Sequence, residues 1–287
     1  MASPLNIENS IAIVVNPRSG RGKAVMIGEW LVEKLTQRNI KHVLFAKTWP
    51  GNLEGFTEVW IVGGDGTMNY FLNAYKDIDV PLAIFKGGTG NDFAWKLYGE
   101  ISLDQQFELV LKAAPKRVDA ATCNDKLYIV GLGIGFEGEV LQSMGTIRRM
   151  GGHLGYLWVV FRKIFSFKES MFTIQAGEAI LKEKFLLVIL NNSPRTGGGF
   201  LVAPEALVND GLIDMVLCKP LSLIKRLRYL PVIEKGKHLH RSFIYFSRQK
   251  EVRIECDKEL PAHLDGELIR SKIFVVKVLP GLLRFKY

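Results

Sequence analysis

Short apolar runs alternate with helical patterns through the first third of the chain. Residues 21–38 place Trp30, Leu31 and Leu35 on one side of a predicted helix. The strand-like runs are 11–16 (IAIVVN), 41–46 (KHVLFA), 59–62 (VWIV) and 81–85 (PLAIF). Such alternation predicts a parallel sheet covered by helices, in which ligands bind at the carboxyl ends of the strands.

The pattern changes near residue 120. From there on, strand-like runs are joined by short polar turns such as Asn124-Asp125. Residues 171–193 predict a hairpin, because two β-rich runs flank a short charged connection. Helical patterns occur near 154–165 and 221–233. This part of the chain predicts an antiparallel β domain.

Composition narrows the protein class. The 287 residues are 48% hydrophobic, which is enough for two domains with substantial cores. No apolar run approaches the roughly 18 uncharged residues of a spanning helix, and no signal-peptide pattern precedes residue 11. The cysteines, Cys123, Cys218 and Cys256, show no pairing or metal spacing, so we interpret them as structural thiols. We therefore expect a cytoplasmic protein.

The chain carries an excess of positive charge. Thirty-eight Lys and Arg against 29 Asp and Glu give a formal net charge of +9. Such a balance suits nucleic acid, an anionic membrane surface or phosphorylated substrates. Because no zinc finger, aromatic RNA-binding motif or long basic arm is present, we do not expect nucleic acid as a partner. A basic surface that merely contacts solvent is the alternative.

Glycine-rich turns follow the predicted strands. They are NPRSGRGK (16–23), GGDGT (63–67) and GGTGND (87–92). A glycine turn before a helix presents backbone N–H groups to phosphate. Asp65 is unexpected in such a turn, since its carboxylate repels an anion. Two acidic turns lie further on, VNDGLID (208–214) and HLDGEL (263–268).

Each of these motifs alone is also compatible with an ordinary turn. Together they supply the groups that phosphoryl transfer needs, namely phosphate cradles, metal ligands and a base. A Walker A loop is absent, which excludes a P-loop enzyme.

The order and spacing of these motifs resemble the soluble diacylglycerol kinase family, which includes bacterial lipid kinases and the catalytic domains of sphingosine and ceramide kinases. The resemblance extends from about residue 10 to 285. GGDGT alone is shared with NAD kinases and, in a near variant, with phosphofructokinases. NPRSG upstream and GTGND downstream make the match specific.

The resemblance implies a nucleotide-binding α/β domain (1–122), similar to NAD kinases and phosphofructokinases, and a larger β-sandwich-like lipid-substrate domain (123–278). It also implies that residues 279–287 return to the first domain and that the active site lies between the domains. ATP and Mg²⁺ are the implied cofactors. The implied nucleotide-binding residues are Asn16, Thr48, Gly63, Gly64, Asp65, Gly66, Thr67, Asn69 and Thr89.

The same resemblance implies the catalytic groups. Glu267 matches the proton acceptor, with Asp265 beside it as a metal or base partner. Asp65 is expected to hold Mg²⁺ or its water, which reverses the local electrostatics. A second, structural Mg²⁺ site is implied at Asp210 and the carbonyl groups of Leu207 and Leu212.

One position departs from the family pattern. Before GTGND the family commonly has a proline and a small or apolar residue, whereas this chain has Lys86-Gly87. We interpret the Lys86 side chain as solvent-facing, with a phosphate contact as the alternative.

A soluble kinase must also reach its lipid. Residues 219–241 combine a leucine stripe with Lys225, Arg226 and Arg228. Residues 155–168 are mostly apolar, with single basic residues between the apolar ones. A basic amphipathic helix can lie on an anionic bilayer, although for each helix taken alone ordinary packing against the β domain is the favoured interpretation. We expect transient contact with the inner face of the membrane.

Two other functions remain open at this stage. One is a soluble small-molecule kinase of the NAD kinase superfamily, which NPRSG and DGE disfavour. The other is a nucleotide- or lipid-binding relative without catalysis, which Asp65, Asp265 and Glu267 disfavour. The acceptor lipid is not readable from the sequence, and a homodimer is left open.

Overall fold

The computed structural model describes residues 10–147 and 152–287, which divide into two compact units. The first unit contains the described residues up to Val118 together with Leu282–Tyr287. The second unit is Asp119–Gly281. The chain therefore leaves the first unit once and returns to it with its last six residues.

The first unit alternates strands and helices. Its strands are β1 (Ser10–Val15), β2 (His42–Phe45), β3 (Phe56–Gly63) and β4 (Leu82–Lys86). Its helices are α1 (Lys23–Gln37), α2 (Asp65–Ala74), α3 (Asp92–Tyr98) and α4 (Leu103–Lys112). The four predicted strands and the helix over 21–38 are therefore present, with ends shifted by a few residues.

The strands of this unit form a parallel sheet in the order β2–β1–β3–β4. Near the chain's end, Phe285 pairs in parallel with Leu82 of β4. All six residues of β1 are buried, which explains its continuous apolar run. The connection from β2 to β3 passes over β1, so the strand order reverses between β1 and β3. Ligands of open α/β sheets bind at such a reversal.

The second unit is mostly antiparallel. Its strands are β5 (Pro115–Cys123, which starts in the first unit), β6 (Lys126–Tyr128), β7 (Gly131–Gly135), β8 (Ser170–Ala176), β9 (Ala179–Phe185), β10 (Leu187–Asn191), β11 (Ile213–Cys218), β12 (Ile244–Gln249), β13 (Glu251–Leu264) and β14 (Glu267–Lys286, which ends in the first unit). Its helices are α5 (Phe136–Ile147), α6 (Gly152–Ser166) and α7 (Leu223–Glu234). The helices predicted near 154–165 and 221–233 are α6 and α7.

Pairing in this unit follows the order β12–β11–β10–β7–β13–β14, with β8 also on β13. The hairpin predicted over 171–193 is β8 and β9, whereas β10 leaves it to pair with β7 and β11. One side of the sheet encloses a core that includes Phe172, Phe185 and Phe274. The predicted architecture, an α/β domain followed by an antiparallel β-sandwich-like domain, is confirmed.

The three cysteines lie in these cores. Cys123, Cys218 and Cys256 are free and buried, and burial raises the pKa of each thiol to about 12. The reactive species of cysteine is the thiolate, so these thiols are inert packing residues. Within residues 10–147 and 152–287, no helix combines the length and the apolar character needed to cross a bilayer.

Candidate functional site

The glycine-rich turns of the first unit meet at the carboxyl ends of its strands. Residues 16–22 follow β1, Gly64 follows β3, and residues 87–91 follow β4. Helix α2 begins immediately after Gly64, and its first helical hydrogen bond runs from the Met68 N–H to the Gly64 carbonyl oxygen at 3.1 Å. The start of α2 therefore faces this edge, where a helix N-terminus attracts anions.

The glycines of these turns pack backbone to backbone. A Cβ atom on Gly88 would lie 2.4 Å from the Cα atom of Gly64, and one on Gly20 would lie 2.3 Å from the carbonyl oxygen of Gly87. The Gly87 N–H donates to the Gly63 carbonyl oxygen at 2.9 Å. Side chains are excluded from these positions, so bare backbone lines the edge. Backbone of this kind can approach a phosphate closely.

A side-chain hydrogen bond joins β1 to α2. The Asn16 amide Nδ2 donates to Thr67 Oγ1 at 3.0 Å, and Thr67 and Asn69 are buried. Thr48 and Thr89 are exposed, on the turns after β2 and β4. The residues predicted to bind nucleotide thus lie at or beyond the carboxyl ends of β1 to β4, namely Asn16, Thr48, Gly63, Gly64, Asp65, Gly66, Thr67, Asn69 and Thr89. Their contact with a nucleotide stays a prediction.

Asp65 has a role that the sequence did not indicate. Its carboxylate accepts the N–H groups of Asp92 and Phe93 at 3.0 and 2.9 Å, which are the first two residues of α3. The residue at the usual capping position, Asn91, makes no cap with its side chain, which bonds to Gly88 instead. Asp65 therefore caps α3 from α2, and the positive end of α3 stabilises its charge. Its predicted contact with Mg²⁺ stays a prediction.

The interpretation of Lys86 as solvent-facing is wrong. Its side chain is only 21% exposed, and Nζ donates to the Gly99 carbonyl oxygen and lies 3.7 Å from Glu100 Oε2. An ammonium group suits this place because the carbonyl groups at a helix C-terminus, here that of α3, lack helical partners.

In the second unit, the Asp-Gly-Glu motif forms the turn between β13 and β14. Asp265 and Gly266 have φ angles of +49° and +86°, and Leu264 pairs with Glu267 across them. This is a two-residue hairpin turn that Asp-Gly sequences favour. Glu267 is exposed at the start of β14, so its carboxylate is accessible to a substrate as the prediction of a base requires.

The Asp265 side chain is buried and accepts hydrogen bonds from backbone N–H groups. Its carboxylate accepts the N–H groups of Ile129, Val130 and Gly131 at 2.8, 2.8 and 2.9 Å. Its own N–H donates to the Gly131 carbonyl oxygen at 3.0 Å. Asp265 therefore has a positioning role, since it fixes the hairpin that carries Glu267. The metal or base role predicted for it stays a prediction.

The loop with the predicted second Mg²⁺ site is fixed by Asp119. This buried carboxylate accepts the N–H groups of Gly211 at 2.7 Å and Gly281 at 2.6 Å. Asp210 is exposed, and its Oδ1 accepts the Leu212 N–H at 3.0 Å. A carboxylate with the carbonyl oxygens of Leu207 and Leu212 supplies the oxygen ligands that Mg²⁺ prefers, so these residues fit the ion. Among the described residues, no group of three or more His, Cys, Asp or Glu is placed to hold a metal.

A buried His–Glu pair lies near the hairpin. His263 Nε2 is 2.9 Å from Glu137 Oε2, and both side chains are about nine-tenths buried, 9% and 12% exposed. A Cβ atom on Gly133 would lie 1.8 Å from Glu137 Oε2 and 2.6 Å from His263 Nε2. Glycine at this position therefore makes room for the pair.

Glu137 also borders an apolar cavity of the second unit. The walls come from β10, α5, α6, α7 and the loops near them, and leucine, isoleucine, valine and phenylalanine predominate. Arg226 and Tyr229 add polar groups, and Arg226 is neutralised by Glu169 at 2.6 Å. Apolar walls with a few convergent polar groups are typical of small-molecule sites.

Two family models match this chain. Residues 10–123 match the diacylglycerol kinase catalytic domain, and residues 131–286, more than half of the chain, match the YegS C-terminal NAD kinase beta sandwich-like domain. This chain belongs to the diacylglycerol kinase and YegS-like lipid kinase family.

Relatives of this lipid kinase family are similar along nearly the full chain. A protein named diacylglycerol kinase from Mycobacterium tuberculosis (strain CDC 1551 / Oshkosh) is 25% identical to this chain. The aligned region covers 96% of this chain and 94% of that protein. Another of that name from Bacillus subtilis (strain 168) is 23% identical, with coverages of 89% and 88%. A crystal structure of a diacylglycerol kinase from Bacillus anthracis str. Sterne has a TM-score of 0.74 at 20% identity and covers 97% of both chains. That structure supports the fold.

The sequence did not indicate a role for some of the residues described above. Asp119 and Glu137 lie in stretches without a local signal, whereas Asp92 and His263 lie within the motifs GGTGND and HLDGEL. No role was predicted for these residues because their partners are distant along the chain. One signal was present, the alternating glycines of β7 (GLGIG). Glycine inside a strand indicates close approach by another group, and here that group is the Glu137–His263 pair.

We predict that Gly88→Ala lowers the free energy of unfolding by about 1–3 kcal/mol, because the new methyl group must displace the Gly64 backbone. Gly51→Ala is the matched control, since a Cβ atom there meets nothing within 4 Å. Urea unfolding of both variants measures the difference. Equal stability of the two variants would show that the turns do not pack as described.

Asp265→Ala leaves three buried N–H groups without their acceptor, and each orphaned buried donor costs about 1–3 kcal/mol. We expect a clear fall in melting temperature. Glu267→Gln, two residues away and exposed, should melt like the unaltered protein. Scanning calorimetry tests both, and an unchanged melting temperature for Asp265→Ala would contradict the positioning role.

Proposed function

We propose that this protein is an ATP- and Mg²⁺-dependent kinase that phosphorylates a hydroxyl group of a lipid, of the diacylglycerol or sphingoid kind. Family membership supports a kinase, and the relatives named diacylglycerol kinase support a lipid acceptor. The observation that carries the lipid acceptor for this chain is the apolar cavity of the second unit. Its walls of leucine, isoleucine and phenylalanine suit the apolar chains of a lipid.

The nucleotide binds at the carboxyl edge of the first unit's sheet. The glycine backbone at Gly63, Gly64 and Gly88 and the start of α2 receive the phosphates, for which bare N–H groups and a helix N-terminus are suited. Asp65 and Asn91 hold the turns in register through the bonds described above. Asp65 is the carboxylate that would hold Mg²⁺ or its water, and the bound ion would neutralise charge that develops during transfer.

Glu267 is the base. Its exposed carboxylate accepts the proton of the lipid hydroxyl, whose oxygen forms a bond to the γ-phosphorus while the bond to the β,γ-bridging oxygen breaks, so that ADP leaves. Asp265 keeps the turn that carries Glu267 attached to residues 129–131. The apolar part of the acceptor occupies the cavity, and Glu137 with His263 is the polar pair available to orient its head.

The test is transfer of labelled phosphate from ATP to a panel of lipids in mixed micelles, with Mg²⁺ or with excess EDTA. We expect one or more lipids to be phosphorylated in Mg²⁺ alone. Glu267→Gln should lower the rate by about 10²–10⁴-fold, the usual contribution of a general base. Glu178→Gln, an exposed residue of the β8–β9 turn, is the matched control and should keep full activity.

Two outcomes would contradict the proposal. Phosphorylation of NAD or another soluble acceptor with no lipid product would assign the protein to soluble small-molecule kinases. Full activity of Glu267→Gln would remove this residue from the mechanism.

A further inference from the structure

Helix α6 is apolar on its outer face as well as its inner face. Val159, Val160 and Ile164 are buried, as expected for a helix packed on a sheet. Its outer face, however, carries three large aromatic side chains beside its polar ones. Trp158, Phe161 and Phe165 are 53%, 51% and 53% exposed.

The three aromatic side chains form a ridge along one side of α6. The Phe161 and Phe165 ring centroids are 5.0 Å apart, and the Arg162 guanidinium lies 5.8 Å from the Trp158 ring centroid. The spacing of three and four residues aligns them along one side of the helix. A large apolar ridge on the outside of a protein marks an interaction surface.

Helix α7 begins beside the helix that carries this ridge. Arg226 donates from Nη1 to the carbonyl oxygens of Ile164 and Phe167 at 2.9 and 3.0 Å, which fixes the start of α7 beside the end of α6. Leu223 and Ile224, 40% and 79% exposed, lie in this first turn. We call Trp158, Phe161, Phe165, Leu223 and Ile224 together the apolar ridge.

Arg226 itself does not face outward. Its side chain is 12% exposed and pairs with Glu169. The expectation that Lys225, Arg226 and Arg228 act together as surface cations is therefore wrong for Arg226, because its guanidinium is used to join two helices. The exposed cations around the ridge are Arg162, Lys168, Lys225 and Arg228.

The positive charge of the residues around the ridge indicates which kind of partner the ridge binds. Residues 158–168 and 221–233 contain no Asp or Glu. A second copy of this chain would bring the same cations together and repel, which disfavours a symmetric dimer through this surface. Aromatic side chains interspersed with cations are instead the composition of helices that lie in the interface of an anionic bilayer.

We propose that the apolar ridge is the surface by which this protein enters an anionic membrane interface. The biological role of this surface rests on the proposed function. Val160 and Ile164 of the same helix line the cavity assigned to the lipid acceptor. Insertion of the outer face thus brings the wall of that cavity to the bilayer from which the acceptor must come.

The test is sedimentation with vesicles of phosphatidylcholine alone or with 30% phosphatidylglycerol, at low and high salt. We expect binding to the anionic vesicles only, weaker at high salt. The double variant Phe161→Glu/Phe165→Glu should lose binding at least about tenfold, because its new charges meet the anionic headgroups. Met26→Glu, which replaces another exposed apolar residue on a helix, is the matched control and should bind normally.

A folding check and a second variant separate the outcomes. Circular dichroism checks that each variant is folded, and Lys225→Glu/Arg228→Glu provides a second variant that should also bind anionic vesicles less. Equal binding of both double variants and the unaltered protein, or no vesicle binding at all, overturns the inference. Dissociation of a dimer by Phe161→Glu/Phe165→Glu, without vesicle binding by the unaltered protein, also overturns it and assigns the ridge to contact between copies.

Failure of the proposed function would look different. Activity of Phe161→Glu/Phe165→Glu on a short-chain, water-soluble acceptor should be unchanged, because neither residue lines the cavity. If the unaltered protein phosphorylates no lipid yet binds anionic vesicles through the ridge, the surface stands and the kinase proposal fails.

Discussion

The close approach of glycine turns at the carboxyl edge of the parallel sheet is the constraint on which the rest of the first unit depends. Gly64 and Gly88 come so near that a methyl group on Gly88 would lie 2.4 Å from the other's Cα atom. This contact fixes the turns after β3 and β4 relative to each other. It also excludes side chains from the edge. Backbone N–H groups and the start of α2 are therefore available to bind an anion.

Buried or half-buried carboxylates hold backbone at three places in the molecule. Asp65 caps α3, Asp265 fixes residues 129–131, and Asp119 fixes Gly211 and Gly281. In each case an acidic side chain supplies the acceptor that a loop lacks, and hydrogen bonds from N–H groups to a carboxylate are among the strong ones. This role explains why Asp65 stands within a glycine turn. Its charge is compensated by backbone N–H groups, so it does not have to repel a bound anion.

Much of the fold was predictable because its signals are local. The apolar runs of β1, β3 and β4, the helical spacing in α6 and α7 and the glycine-rich turns all appear within a few neighbouring residues. The contacts of the site are not local. Asp65 reaches a helix start 27 residues on, Glu137 meets His263 across 126 residues, and Arg226 turns inward to α6. Such partners follow from topology, which periodicity does not encode.

We propose that the glycine edge of the first unit binds the phosphates of the nucleotide. This proposal is tested most directly by following backbone amide resonances while a non-hydrolysable ATP analogue is added with Mg²⁺. The account predicts that the largest shifts cluster at residues 16–22, 63–69 and 87–92, with smaller ones elsewhere in the unit. Saturable binding that leaves these three stretches unshifted, or no binding at millimolar analogue, would contradict it.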